Sequence, residues 1–156
     1  MIIIGIDPGL NGGICVFGCE CRNGSIAAPF SSMADIGMLL DTLREGKRFN
    51  EIHAYVEEPP VFFKGAGGGL ASQAKLHRNF GEYLGILMGL GISFETVSPQ
   101  KWQKGLPSLT KLAGKERKKA LHNIAVQRFP YLKPTMKTCD AILIAEYGVK
   151  QPKADF

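Results

Sequence analysis

The residues that decide the fold open the chain: Met1-Ile2-Ile3-Ile4-Gly5-Ile6-Asp7-Pro8-Gly9-Leu10-Asn11-Gly12-Gly13. An aliphatic run that ends in an acid predicts a strand buried on both faces, with Asp7 at its end. The Pro-Gly and Gly-Gly steps then turn the chain, and residues 14–17 predict a returning antiparallel strand. Burying a carboxylate is costly unless a metal ion or hydrogen bonds compensate for it. Asp7 is therefore either a cation ligand or an ordinary member of an Asp-Pro-Gly turn.

The composition indicates a folded globular chain with a basic surface. The 156 residues are 45% hydrophobic and 21% charged, which predicts a single domain over residues 1–150 and a tail over 151–156. A net charge of +5 favours a polyanionic partner, nucleic acid first. No stretch approaches the ~18 apolar residues of a membrane span. The four cysteines form no Cys-x-x-Cys pair, so free thiols in a reducing cytoplasm are expected rather than a zinc site.

Hydrophobic periodicity predicts a mixed α/β sheet of five strands, three antiparallel and then parallel, with helices on both faces. After the first hairpin, a turn and a third short strand are expected over residues 21–27, and further strands over 52–58 and 92–97. Helices are expected from Ser32 to about Gly46 and over 72–90, 99–104, 115–129 and 140–147. Glycines at 81, 85 and 89 share a four-residue spacing, which would permit close approach of this helix to a sheet or a second helix.

Three acids fall where predicted elements begin or end. Asp7 ends the first strand, Glu57 or Glu58 ends the fourth, and Asp140 begins the last helix. Ends of neighbouring strands at one sheet edge lie close in space. Clustered carboxylates repel one another, so they persist mainly where divalent cations neutralise them, and hard oxygen ligands suit Mg²⁺ or Mn²⁺. Two such ions ~3.5–4 Å apart can activate water for phosphodiester hydrolysis. The alternative for each acid alone is an exposed cap or turn residue.

The chain resembles the RuvC-type Holliday-junction resolvases, bacterial and chloroplast, in three segments that occur in order. They are Ile4-Gly5-Ile6-Asp7-Pro8-Gly9, Val56-Glu57-Glu58-Pro59 and Cys139-Asp140-Ala141-Ile142-Leu143-Ile144-Ala145. The first segment is also found in actin-like ATPases and in other ribonuclease H-like proteins. The resemblance implies a ribonuclease H-like fold, a homodimer, and crossover junction endodeoxyribonuclease activity on four-way DNA junctions with magnesium or manganese.

By this resemblance, Asp7, Glu57 and Asp140 take the metal-binding catalytic places. Glu58 ranks second, because bacterial relatives often have Gln there. Bacterial members usually carry a further acid three residues before the last one, and this chain has Lys137 in that place. Either three acids suffice, or Lys137 contacts phosphate, or the activity is weakened. The chloroplast relatives also depart from the bacterial pattern here, so the lysine does not exclude activity.

Lysines ahead of the last acid are candidate DNA contacts. Family members carry functional lysines in this region, and Lys111, Lys115 and Lys118 are the candidates for those places. Lys115 and Lys118 share one face of a predicted helix with Lys119 and His122. The alternative is a solvated helix face.

Aromatic residues in the loop after Glu57 are a second candidate DNA contact. Related resolvases place an aromatic near here to wedge into the junction centre, and this loop carries Phe62 and Phe63 with Lys64 beside them. An exposed ring can replace the stacking lost when a base step opens. The alternative is a pair of aromatics tucked into the core or a dimer interface. Trp102, further along, is expected to be structural.

Four readings of function follow, and the leading one is a metal-dependent junction resolvase. The others are a ribonuclease H-like nuclease acting on hybrid or other branched nucleic acids, a non-catalytic junction binder, and an actin-like nucleotide-binding protein. The last needs a second lobe to close over the nucleotide, and 156 residues leave little room for it. We therefore expect branched DNA as partner, and neither a nucleotide cofactor nor a membrane.

Overall fold

The first strand of the chain, β1 (Ile2–Asp7), lies at the centre of a mixed five-stranded sheet. The structure, a computed structural model, describes residues 1–18, 24–45, 47, 51–60, 69–106, 109 and 111–152. The other strands are β2 (Gly13–Phe17), β3 (Ser25–Pro29), β4 (Ile52–Glu57) and β5 (Ser93–Val97). They lie in the order β3-β2-β1-β4-β5, with β1, β2 and β3 antiparallel and β1, β4 and β5 parallel. The predicted sheet is confirmed.

Helices cover both faces of this sheet, as predicted. They are α1 (Met33–Arg44), α2 (Leu70–Gly89), α3 (Pro99–Trp102), α4 (Gly114–Arg128) and α5 (Cys139–Val149), and a 3-10 turn lies at Pro130–Leu132. On one face, Ile2, Ile4 and Ile6 of β1 pack against α1 and α2 in one core cluster. On the other face, α3, α4 and α5 pack over Ile3 and Tyr55. Alternate residues of β1 therefore pack into two hydrophobic cores on opposite faces of the sheet, which explains why its aliphatic run is continuous.

Helix α5 packs unusually close to β1 because Gly5 has no side chain. A Cβ atom at Gly5 would lie 2.9 Å from the Cβ of Ala145 and closer still to the backbone of Ala141 and Ala145. Real Cβ atoms essentially never approach other atoms so closely, so only glycine fits here. This contact brings the two ends of the described chain together and places the start of α5 beside the end of β1.

Several predicted boundaries were wrong, and the close approach that the glycine spacing on α2 would permit does not occur within the chain. The third strand was expected to end at Ala27 but continues to Pro29, α2 begins at Leu70, α3 ends at Trp102, and α5 continues to Val149. A Cβ at Gly81, Gly85 or Gly89 would meet nothing within 4 Å. These three glycines of α2 therefore face open space in this chain, and the close approach occurs at Gly5 instead. Among the described residues, no helix is long and apolar enough to cross a membrane.

Candidate active site

Asp7 lies at the end of the central strand and is held by the turn that follows it. Its carboxylate oxygen Oδ1 accepts a hydrogen bond from the backbone N–H of Gly9 at 3.0 Å, and only 9% of the residue is exposed. The turn closes through a hydrogen bond from the N–H of Gly12 to the carbonyl of Gly9 at 2.8 Å. A Cβ at Gly12 would lie 2.7 Å from Asp7 Oδ1, so the glycine lets the chain pass directly beside the carboxylate.

Glu57 ends β4, the strand that lies parallel and next to β1. Ile6 pairs with Val56, so Asp7 and Glu57 follow at matching places on neighbouring strands. The indole Nε1–H of Trp102 donates to Glu57 Oε1 at 3.1 Å. Trp102 is buried, with 2% of its surface exposed. Sequence reasoning treated this residue as structural and missed its contact with a candidate catalytic acid.

The register of β5 explains how Trp102 reaches Glu57. Glu57 pairs with Val97 at the end of β5, and α3 begins two residues later at Pro99. One helical turn then places Trp102 over the end of β4. The local signal was available in the sequence, as a proline-initiated helix directly after a strand, but the strand pairing was not.

Asp140 lies in the first turn of α5 and forms an ion pair with α4. Lys118 Nζ lies 2.5 Å from Asp140 Oδ2, and the exposed fractions of the two side chains are 29% and 13%. Because Gly5 lets α5 lie close to β1, this pair is brought to the same end of the sheet as Asp7. Electrostatic interactions join Lys118 to both aspartates.

The pKa values of Asp7 and Glu57 respond to the charges of neighbouring acids, which indicates that these carboxylates lie close together. Burial and then the charge of Asp140 raise the pKa of Asp7 to about 6. Burial, followed by the charges of Asp7 and Asp140, raises the pKa of Glu57 to about 8, although the Trp102 hydrogen bond and Lys118 act in the opposite direction. Burial lowers the pKa of Lys118, but Asp140 outweighs it and the net shift is upward. Burial is thus the main cause of the raised pKa values of Asp7 and Glu57, and the charges of neighbouring acids add to it.

The donor set fits a hard divalent cation, although the side chains are not already arranged as a metal cage. Among the described residues, no three acid, histidine or cysteine side chains are placed to hold a metal ion together. Protein donors engage the carboxylates instead: Gly9 donates to Asp7, Trp102 donates to Glu57, and Asp140 accepts from Lys118 on Oδ2 and from the Cys139 thiol on Oδ1. The residues present are nevertheless three carboxylates that interact electrostatically, and two of them have raised pKa values. A bound Mg²⁺ or Mn²⁺ ion would stabilise their charged forms and suits oxygen ligands.

Glu58 does not join the other acids. Successive strand residues point to opposite faces, and Glu58 is exposed, where its Oε1 accepts a hydrogen bond from Thr96 Oγ1 at 2.5 Å. Its backbone N–H donates to Val97 at 2.9 Å. The structure therefore brings Glu57, and not Glu58, to the side of Asp7.

An open groove of about 470 Å³ is lined by one of the three acids, Asp7. Two of the predicted lysines, Lys118 and Lys137, line it. The remaining lining residues come from the turn after β1, from α2 and from the segment before α5, and are Asp7, Gly9, Leu10, Asn11, Gly12, Ser72, Leu76 and Met136. A groove with two ammonium groups beside acids can hold a phosphate chain next to a cation.

The other predicted DNA contacts are placed differently. Lys111 and Lys115 are exposed and are not among the residues that line the groove. Phe62, Phe63 and Lys64 lie outside the described residues. Sequence reasoning also missed Asn79 on α2, which is buried and donates to the carbonyl of Pro8 at 3.4 Å. That bond ties the turn after Asp7 to α2.

The sequence matches no protein-family profile and no curated protein. Solved structures do match. The RuvC structure from Thermus thermophilus aligns with a TM-score of 0.54 at 19% identity, over 96% of this chain and 93% of that one. A structure of T. thermophilus RuvC in complex with a Holliday junction substrate aligns with a TM-score of 0.59 at 17% identity, over the same shares of both chains. At these identities the likeness establishes the fold, which is ribonuclease H-like and spans nearly the whole chain.

Proposed function

We propose that the chain is a metal-dependent endonuclease that resolves four-way DNA junctions. The observation that carries this proposal is the electrostatic interaction of Glu57 with Asp7 and Asp140, from three elements far apart in sequence, where Asp7 lines a groove together with two lysines. The choice of junction DNA draws on the fold shared with T. thermophilus RuvC, which is recorded in complex with a Holliday junction substrate.

In this proposal the chain's own residues hold the cations and the scissile phosphate in one place. Asp7, Glu57 and Asp140 supply the ligands, while Gly9 and Trp102 orient two of the carboxylates. Two divalent cations, when bound, would supply an activated water and stabilise the leaving oxygen, giving 5′-phosphate and 3′-hydroxyl ends. Lys137 contacts the DNA backbone from the rim of the groove.

A four-way junction has two symmetry-related strands to cut, so we also propose a homodimer with one site in each protomer. Phe62 and Phe63 remain candidate wedges at the junction centre, because they follow Glu57 closely in sequence. Lys137 in place of a further acid favours one alternative, a junction binder that does not cut.

Cleavage of a synthetic four-way junction, with and without Mg²⁺ or Mn²⁺, tests the proposal. The wild-type protein should cut the junction in preference to a linear duplex or an RNA–DNA hybrid. Asp7→Asn should bind the junction normally and cut it at least about a thousandfold more slowly, since a metal ligand contributes several kcal/mol to the transition state. Asp41→Asn is the matched control, because Asp41 is exposed on α1 and its substitution removes the same charge away from the site.

Each failure has a distinct meaning. Normal cutting by Asp7→Asn would refute the assigned site. Binding without nicking across a full metal titration would favour the non-catalytic binder. Preferential cutting of the hybrid would favour a different nuclease of the same fold.

A further inference from the structure

The three candidate metal ligands differ in the kind of donor that holds them. Asp7 and Glu57 accept hydrogen bonds from neutral groups, the backbone of Gly9 and the indole of Trp102. Asp140 is held by the full positive charge of Lys118 at 2.5 Å. A neutral donor leaves the net charge of a carboxylate unchanged, whereas an ammonium cancels it.

Lys118 reaches this position because of where α4 places it. Its immediate helix neighbour Lys119 is exposed, and so is Lys115 one turn earlier, whereas Lys118 is mostly covered and lines the groove beside Asp7. The ammonium therefore occupies the place where a cation would contact Asp140. Two positive charges within ~4 Å repel by about 1 kcal/mol even in water and by several times more near a protein surface, and a divalent ion doubles this.

We infer that Lys118 is an internal counter-ion that competes with divalent cations for Asp140, so that metal loading is favoured once a DNA phosphate draws the lysine away. This inference rests on the proposed function, since it needs Asp140 as a metal ligand and a phosphodiester in the groove. Lys118 is then a positioning residue. Without DNA it holds Asp140 and keeps cation affinity low, and with DNA it turns to the phosphate and leaves Asp140 free to ligate.

The consequence is a coupling between cation and DNA that is the same in both directions. A junction that removes Lys118 from Asp140 tightens cation binding, and by linkage the cation tightens junction binding by the same factor. In a chain without the ammonium, no positive charge competes for Asp140, and the thiol of Cys139 is its remaining donor. It should bind cations more tightly alone and gain less from DNA.

The test measures Mn²⁺ binding to the metal-free protein without DNA, by the electron paramagnetic resonance signal of free Mn²⁺. Lys118→Met keeps the aliphatic stem and removes the charge, and it should bind Mn²⁺ about tenfold more tightly than wild type. Lys118→Arg keeps a positive charge and should remain weak. Lys119→Met, the neighbouring lysine on the exposed face of α4, should equal wild type.

Two further arms make the result specific. In an Asp140→Asn background, Lys118→Met should bring no gain, because the carboxylate for which the charges compete is gone. With Ca²⁺ as the cation, junction DNA should tighten cation binding in wild type and do so less in Lys118→Met. Circular dichroism checks folding, and Lys118→Gln replaces the methionine variant if that one unfolds.

Equal or weaker Mn²⁺ binding by a folded Lys118→Met or Lys118→Gln protein would overturn the inference, as would an equal gain in the Asp140→Asn background. Such a result would leave the proposed function standing if the wild type still cut junctions. Absence of metal-dependent junction cleavage in wild type is the separate result that defeats the proposed function.

Discussion

Replacing Gly5 with alanine should separate the two elements that carry Asp7 and Asp140. The added Cβ would lie 2.9 Å from the Cβ of Ala145, and closer to the backbone of Ala141 and Ala145. Backbone atoms cannot rotate away from the added Cβ as a side chain could, so α5 must move away from β1. Inserting a methyl group into packed structure typically costs about 1–3 kcal/mol, and this rigid contact favours the upper end.

The expected loss of about 3 kcal/mol corresponds to a fall in Tm of roughly 6–12 °C for a domain of this size. Urea unfolding should show a lower midpoint with an unchanged slope. Junction cleavage by the folded variant should fall about a hundredfold, because a displacement near 1 Å at a catalytic group has that effect. Junction binding should change far less, since α5 carries no groove lysine.

Gly37→Ala supplies a control with the opposite sign. Gly37 lies inside α1, where a Cβ would meet nothing within 4 Å, so alanine should stabilise the helix by about 0.5–1 kcal/mol. Unchanged stability and cleavage in Gly5→Ala, with the expected gain in Gly37→Ala, would refute the reasoning that glycine is required where α5 meets β1.

Three further predictions concern the charge and contacts of the site. Burial raises the pKa of Glu57 from 4.5 to about 8, so between these pH values the folded metal-free protein holds a proton that the unfolded chain releases. The free energy of unfolding of wild type therefore falls as the pH rises from about 4.5 to about 8. Urea unfolding in the presence of chelator should show Glu57→Gln to be more stable than wild type at pH 8 but not at pH 4. Trp102→Phe removes the donor that lowers the pKa of Glu57, so the acidic limb of the kcat/KM profile should move to higher pH, with a loss of about 1.5–3 kcal/mol in stability. Lys137→Ala should reduce the slope of log K against log salt for junction binding by about 0.9, while Lys150→Ala at the far end of α5 leaves it unchanged.

The sheet and the carboxylate ends were predictable because their signals are local. A strand is predicted from local sequence alone at two places, by the isoleucine run before Asp7 and by the alternating residues before Glu57. Helix α1 connects β3 to β4, and β3 runs parallel to β1 because two antiparallel pairings separate them, so β4 can pair with β1 in parallel. The start of α5 at Cys139 is similarly marked by an apolar run after a polar segment.

The contacts around those acids were not predictable, because they depend on register and on helix rotation. Periodicity placed Lys115, Lys118 and Lys119 on one helix face and gave no way to choose among them, whereas packing of α4 against α5 turns Lys118 toward Asp140. Trp102 reaches Glu57 only through the pairing of β4 with β5. The four-residue glycine spacing on α2 suggested close packing, and it proved a poorer guide than the single Gly5 of β1.

The close contact between Gly5 of β1 and Ala141 of α5 affects the order in which the protein folds during synthesis. A ribosome releases the strand bearing Asp7 long before the helix bearing Asp140, and early segments fold before late ones. Joining them closes most of the chain into one loop, a slow step for any folding route. A nascent or truncated product therefore lacks one of the three acids, and in a nuclease this order would keep unfinished copies from nicking the genome.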